Sequence, residues 1–470
     1  MRLKGRGGIL EAKHKPRRWS MRIIFIICDT LRRDFLGCYG NDWVKTPHID
    51  ELAKESILFE KAYIGSFPTM PARAEIMAGR HVFHTIGWAP LPQEWPVVQG
   101  MLRRNGYITA LITDHYQMLH PGYNYHKGFD VYRFIRGHQS DPFHTTDLIK
   151  LKWPCSPEKC RQPEALVVPY LKSRALWTYE RDWPIPKTIQ EAIDWLERNY
   201  KHERFLLFLD LFSVHEPWDP PRWYVDLYDP GYEGEEVILP RYDRADYLTE
   251  AELRHVRALY AGTITMMDKW VGWLFEKLHD LGIWDETAII FTSDHGWLHG
   301  EHGLIGKHTV LEPKKGWPLY EEIAHIPLLM KIPGFEGGTK CGALVQLVDL
   351  MPTLAELGGV DPPGDIHGRS ILPLLRGEAE RIRDLAVCSP TLPRDPETLV
   401  WSTVTDGEWC LLDPGGAAKP QLFHLPSDPH QERDLFEERR EVAEELHRRY
   451  IEFLENIGTP EERLKLREWR

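Results

Sequence analysis

The sequence predicts an α/β fold: a central, mostly parallel sheet sandwiched by helices, with a small C-terminal α+β subdomain. Three observations predict it. Arg22–Cys28, Phe205–Phe212 and Ala288–Thr292 are short apolar runs of the kind buried on both faces of a parallel sheet. Between them lie segments with helical period, at 98–105, 188–200 and 250–281. After about residue 375 that alternation gives way to short strands and one charged helix.

Residues 1–20 carry seven Lys/Arg and one Glu without an apolar core. They read as a basic extension, either disordered or an over-extended gene start ahead of Met21, and not as a signal peptide. The main domain spans 21–374. Its first strand, Arg22–Cys28, ends in Asp29. Leu36-Gly37-Cys38-Tyr39-Gly40 is a turn, Thr46-Pro47 opens a capped helix, and Ile57–Ala62 is a short strand. Tyr107–Ile112 is a core strand ending in Thr113-Asp114-His115. Residues 137–188 lose any clear period and collect Pro, Trp and charge, too long a stretch for a passive connection, so they read as lid or substrate loops. The strand at Phe205–Phe212 ends in Ser213-Val214-His215, and the strand at Ala288–Thr292 ends in Ser293-Asp294-His295. Ile326–Ile332 is a further strand and Asp349–Leu357 a helix. Residues 375–470 form the subdomain, from strands at Leu385–Cys388, Leu399–Thr405, Glu408–Leu412 and Gln421–His424 and a helix over Asp434–Asn456.

With 470 residues the chain has room for two parts, and 42% hydrophobic with 27% charged residues is ordinary for a soluble globular protein. A net charge of −12 argues against nucleic acid as a partner, and no apolar run is long enough to span a membrane. The seven cysteines are scattered and odd in number, which excludes a disulfide framework; Cys155 and Cys160 read as thiols or as one local bridge. The default location is the cytoplasm. A homo-oligomer is left open.

The chemistry centres on Ser66-Phe67-Pro68-Thr69-Met70-Pro71-Ala72-Arg73. Pro68 keeps Phe67 out of a helix, Pro71 suits a first helical turn, and Gly79 closes the helix-forming run that follows. Thr69 therefore belongs at a helix N-terminus, where free N–H groups favour an anion and Arg73 adds positive charge. A hydroxyl placed where an oxyanion binds is a recipe for attack on phosphate or sulfate esters. The plain alternative is a capping threonine with a structural arginine. The strand ends weigh against it, because Asp29, Asp114/His115, His215 and Asp294/His295 share one edge if the sheet is parallel. Asp29, Asp294 and His295, with the Thr69 oxygen, offer ligands to one divalent cation: Ca²⁺, Mg²⁺ or Mn²⁺ on the oxygens, with Zn²⁺ admitted by the imidazole.

These motifs resemble, in order and across roughly residues 21–430, the sulfatase family of the alkaline phosphatase superfamily. Asp29 with Leu36-Gly37-Cys38-Tyr39-Gly40 is similar to the opening motif, and Thr46-Pro47-His48-Ile49-Asp50 to the segment after it. Thr69-Met70-Pro71-Ala72-Arg73 falls on the nucleophile motif, and His215-Glu216-Pro217 on the His-containing loop. Ser293-Asp294-His295-Gly296, Gly300-Glu301-His302-Gly303 and Gly306-Lys307 resemble the second metal and anion-binding block. Tyr320-Glu321-Glu322, Phe423-His424-Leu425 and Asp428-Pro429 resemble later signatures.

The resemblance implies an alkaline phosphatase-like fold and one metal, usually calcium, on Asp29, Asp294 and His295. Arg73 would hold the nucleophile and the anion. His215 and Lys307 would contact the transferred group and help the leaving oxygen depart, and His115 would assist breakdown of the covalent intermediate. Two departures follow. The family converts Cys or Ser to formylglycine, whereas oxidation of Thr69 would give a ketone. The Lys usual two residues before His115 is Thr113. The expected function is a metal-dependent hydrolase of small anionic sulfate, phosphate or phosphonate esters with a Thr69 nucleophile. The alternatives are a catalytically impaired binding protein, or a two-metal phosphodiesterase or phosphotransferase drawing on Asp210, His215 and His299 or His302.

Overall fold

A computed structural model describes residues 21–307 and 316–469; the expected basic extension at 1–20 lies outside the described residues. The main sheet has eight strands: β1 (Arg22–Cys28), β2 (Ile57–Tyr63), β3 (Ile108–Thr113), β4 (Val131–Phe134), β5 (Phe205–Leu211), β6 (Thr287–Ser293), β7 (Leu328–Lys331) and β8 (Thr339–Gln346). Their order is β8-β2-β7-β6-β1-β5-β3-β4. β1 lies at the centre, parallel to β5 through Cys28 opposite Leu211 and to β6 through Cys28 opposite Ser293.

β1 is buried on both faces because its side chains alternate between two cores. Ile24, Ile26 and Cys28 meet helices α2 (Pro184–Asn199) and α3 (Glu250–Asp280). Ile23, Phe25 and Ile27 meet helix α1 (Thr69–Ala78) and the helix at Leu350–Leu357. α3 starts where its capping box predicts: the Thr249 hydroxyl accepts from Glu252 N, and Glu252 reaches back to Thr249 N.

Several expectations are corrected. The sheet is mostly parallel, as expected, but the direction of β7, the expected strand at Ile326–Ile332, was not foreseen: it runs antiparallel to both neighbours. An apolar run encodes burial and not direction. β4 and β8 went unforeseen; β4 is a four-residue, half-exposed edge, and β8 opens on the polar Thr339-Lys340 and shifts register between Cys341 and Leu344. α2 begins at Pro184, with Pro184 and Pro186 filling a first turn that needs no N–H. The segment at 137–188 is not all loop, since it holds a helix at Val168–Arg174.

The second sheet is antiparallel, β9 (Ala386–Cys388), β10 (Ser402–Thr405), β11 (Trp409–Asp413) and β12 (Gln421–His424). Helix α4 (Arg440–Asn456) covers it through Ala443, Leu446, Tyr450 and Leu454. α4 starts six residues later than expected, because Asp434 instead caps a turn, its Oδ1 accepting from Leu422 N and Phe436 N. This sheet backs the Thr69 stretch directly: Phe67 N donates to Ser389 O at 2.9 Å and Ser389 N to Gly65 O at 2.9 Å. Among the described residues no helix is long and apolar enough to cross a membrane.

Candidate active site

The carboxyl ends of β1, β3, β5 and β6 lie side by side, so the expected residues converge at one sheet edge. Asp29 follows β1, and Asp294 and His295 follow β6; all three are fully buried. Between the carboxylates sits Thr30 with φ 65°, a left-handed conformation that costs a β-branched residue about 1–3 kcal/mol. Three hydrogen bonds hold it. Thr30 N donates to Asp294 Oδ1 at 2.9 Å, its hydroxyl to Asp29 Oδ1 at 2.6 Å, and the Tyr260 hydroxyl to Thr30 O at 2.7 Å. Thr30 thus orients both carboxylates through their Oδ1 atoms.

The Oδ2 atoms turn to Arg73, whose Nη1 lies 3.1 Å from Asp29 Oδ2 and 2.7 Å from Asp294 Oδ2. Arg73 rises from α1, a helix buried along its whole length and closed by Gly79 at φ 67°. Its Nη1 also donates to Thr69 O at 3.1 Å, while Nε and Nη2 fork onto Asp210 Oδ2 and Oδ1 at 2.7 and 2.9 Å. Most of the guanidinium's donors are thus spent on protein acceptors, the Thr69 carbonyl among them. Asp210, floated as a donor to a second metal, is Arg73's counter-ion.

Thr69 opens α1, as its flanking prolines predict, and its hydroxyl lies 3.2 Å from His295 Nε2. His295 Nδ1 lies 3.0 Å from Gly296 O, which assigns the proton to Nδ1 and leaves Nε2 an acceptor. Lys307 Nζ reaches the same nitrogen at 3.3 Å and the Thr30 hydroxyl at 3.5 Å. On the other side of Asp29, His115 Nε2 is 3.6 Å from Oδ2, and among the described residues neither of its ring nitrogens has a hydrogen-bond partner. Phe212 separates His115 from His215, meeting the first edge-on at 4.5 Å and the second stacked at 4.3 Å. His215 Nδ1 donates to Glu216 O at 2.7 Å, so its Nε2 is also an acceptor. Thr113, where the family resemblance expects a lysine, turns its hydroxyl back to accept from His115 N at 2.9 Å.

Burial sets the protonation states. It pushes His295 and His215 well down, helped by the charge of Lys307, and pushes His115 down with Arg73's help, so all three rings are neutral. It also pushes the Lys307 ammonium down. The two aspartates part ways. Burial and the charge of Asp29 push Asp294 up to about 8; burial would raise Asp29 too, but the charges of Arg73 and Lys307 hold it well below the usual range. Without a cation, one of the pair keeps a proton.

The residues fit a divalent metal. Asp29 Oδ2 is buried and accepts no hydrogen bond among the described residues. Ligand atoms of Asp29, Asp294 and His295 lie within 4.8 Å of one another, two hard oxygens and a neutral nitrogen. Three buried carboxylates, of Asp29, Asp210 and Asp294, face two cations, Arg73 and Lys307, and a divalent cation would turn the cluster net positive toward an anionic ester. The donors named for a second metal do not assemble. His299 is enclosed by Trp218, Tyr260 and Trp297, and His302 stacks on Tyr320 and faces Glu322. Sequence reasoning missed Glu216 in its own right, together with Tyr242 and Arg161. The charge of Glu216 directly after His215 was the one signal available.

The family described as Sulfatase matches residues 22–360, and the family described as N-sulphoglucosamine sulphohydrolase, C-terminal, matches residues 300–456. An arylsulfatase of Clostridium perfringens is 25% identical, over 92% of this chain and 94% of that protein. The multifunctional alkaline phosphatase superfamily protein PehA of Trinickia caryophylli is 26% identical, over 88% of this chain and 90% of that one. The crystal structure of the phosphonate monoester hydrolase of Agrobacterium radiobacter superposes with a TM-score of 0.72 at 21% identity, covering 93% of this chain and 95% of that one, a likeness of fold. With the Sulfatase match covering most of its length, the chain belongs to the sulfatase family of ester hydrolases.

Proposed function

We propose that this protein hydrolyses phosphate and phosphonate esters in preference to sulfate esters, using the unmodified Thr69 hydroxyl as its nucleophile. The observation that carries the reading is the position of that hydroxyl: first residue of a buried helix, 3.2 Å from His295 Nε2, beside the Asp29–Asp294 pair. Threonine cannot be oxidised to the aldehyde of formylglycine, so the chemistry open to it is direct attack. Names among its relatives and structural neighbours, sulfatase and phosphonate hydrolase alike, support this range of esters.

One divalent cation on Asp29, Asp294 and His295, calcium or one of manganese, magnesium and zinc, would supply the positive charge that lowers the pKa of the adjacent hydroxyl and offsets the phosphoryl oxygens. The Thr69 hydroxyl releases its proton to solvent, and its Oγ1 bonds to phosphorus as the bond to the alcohol or phenol oxygen breaks. Lys307 protonates that oxygen, because His215 in its observed tautomer presents an acceptor. Water then clears the threonyl ester, with the neutral, otherwise unpartnered His115 taking its proton. Arg73 and Thr30 hold the carboxylates in place throughout.

The test is steady-state turnover of matched aryl sulfate, aryl phosphate and bis-aryl phosphate with Mn²⁺ or Ca²⁺ added. The phosphate esters are expected to turn over faster; equal or faster sulfate turnover would overturn the substrate order.

A further inference from the structure

The geometry assigns Arg161 to a second anion subsite beside the ester site, which would select esters whose leaving alcohol carries a further negative group such as a carboxylate. This rests on the ester-hydrolase reading for where the scissile group sits.

Arg161 belongs to the irregular segment ahead of α2, yet its backbone is fixed from both sides. Arg161 N donates to Leu239 O at 3.1 Å, and Arg241 N donates to Lys159 O at 2.9 Å, with Cys160 bridged to Pro240 between them. Cys155 and Cys160, both free thiols, brace the same turn with their sulfurs 3.2 Å apart. The guanidinium lies over the Tyr242 ring, 4.1 Å from its centroid. Nη1 donates to the Tyr242 hydroxyl at 2.5 Å and faces Glu216 Oε1 at 3.4 Å.

That anchoring uses one ring face and one nitrogen. Among the described residues Nε and Nη2 have no acceptor, and the side chain is 22% exposed. The result is a pre-ordered guanidinium with a free edge, the geometry that takes a carboxylate or phosphate in a fork without further loss of side-chain entropy. Glu216 meets Arg161 at Nη1 alone. Its Oε1 is shared with the Tyr242 hydroxyl, which donates at 2.7 Å, and its Oε2 lies 3.0 Å from His215 Nδ1.

The side chain lies near the ester site, since Glu216 touches Arg161 through Oε1 and His215 through Oε2. Tyr242 meets Trp297 edge-on at 4.8 Å, and Lys307 Nζ lies 5.7 Å from the Trp297 centroid, so one aromatic pair separates the two cations. Arg161's charge helps hold down both His215 and Lys307. A ligand whose phosphoryl group meets Lys307 would carry a second anion to Arg161 where its leaving group extends past Tyr242, the half-buried member of that pair; Trp297 is fully buried. If Arg161 served only to staple its segment to Tyr242, the backbone ladder would duplicate that role and the free edge would have none.

The test is calorimetric binding of non-scissile analogues to the full chain with Mn²⁺: phenylphosphonate against its 3- and 4-carboxy derivatives. The expected result is that one carboxylated analogue binds the wild type about tenfold more tightly. Arg161→Gln should abolish that preference, weakening the preferred carboxylated analogue more than it changes phenylphosphonate binding. Should Arg161→Gln fail to fold, Arg161→Lys, which keeps the charge but loses the fork, should shrink the preference. The absence of a preference in the wild type, or an equal loss for all three analogues in the variant, overturns the proposal. Failure to hydrolyse any ester would instead count against the ester-hydrolase reading and leave the binding preference readable.

Discussion

Arg73 and Arg161 stand in two regions that treat the same side chain in opposite ways. Arg73 rises from a helix in the interior, is fully buried, and spends its guanidinium on Asp210, Asp29, Asp294 and the Thr69 carbonyl. Arg161 lies on an irregular segment, rests on an aromatic ring, touches one carboxylate loosely and keeps an edge free. The sheet edge is thus a closed electrostatic unit whose parts depend on each other, and the wall beside it is an adjustable surface on a fixed backbone.

The largest expected effect comes from breaking the closed unit. Arg73→Met leaves Asp210 buried without a counter-ion and should cost about 3–5 kcal/mol of stability, read by urea unfolding, with all turnover lost. Asp210→Asn, which keeps the shape and removes the charge, should cost about 2 kcal/mol and loosen Arg73 from Thr69. Thr69→Ala separates chemistry from architecture. Turnover should fall at least about a thousandfold while stability stays within about 1 kcal/mol and phenylphosphonate still binds.

A pH dependence sharpens the same contrast. Asp294 is held up to about 8 in the metal-free protein, so its protonated form contributes stability that is present in acid and lost as pH rises through about 8; Asp29, held low, adds no slope in that window. The metal-free protein should therefore lose thermal stability between pH 6 and pH 9 relative to Asp294→Asn. Added Mn²⁺ should raise Tm more at the alkaline end, where no proton has to be displaced. The smallest effect is expected at the wall, where Arg161→Gln should change stability by less than about 1 kcal/mol.

The sequence made the sheet edge legible and the wall almost opaque. Asp29, His115, His215 and Asp294–His295 stand out because each follows a short apolar strand, and a parallel sheet gathers such ends together. Thr69 stands out because prolines bracket it ahead of a helix-forming run. The antiparallel direction of β7 was not legible, since burial has no polarity along the chain. Asp210 was hidden inside the apolar run of β5, where nothing local says that its partner is an arginine on a distant helix. The left-handed turn at Thr30 was equally invisible, because the bonds that hold it come from Asp294 and Tyr260, each more than two hundred residues away. Arg161 has no periodic context at all; its place depends on a ladder to residues 239–241.

The most direct test of the central claim is mass spectrometry of the enzyme quenched in acid during turnover of an aryl phosphate, with His115→Ala included to slow breakdown of the intermediate. The account predicts a phosphoryl group on Thr69, scarce in the wild type and enriched in the variant. Steady turnover with Thr69 unmodified in both proteins, or with the phosphoryl group on another residue, would contradict it.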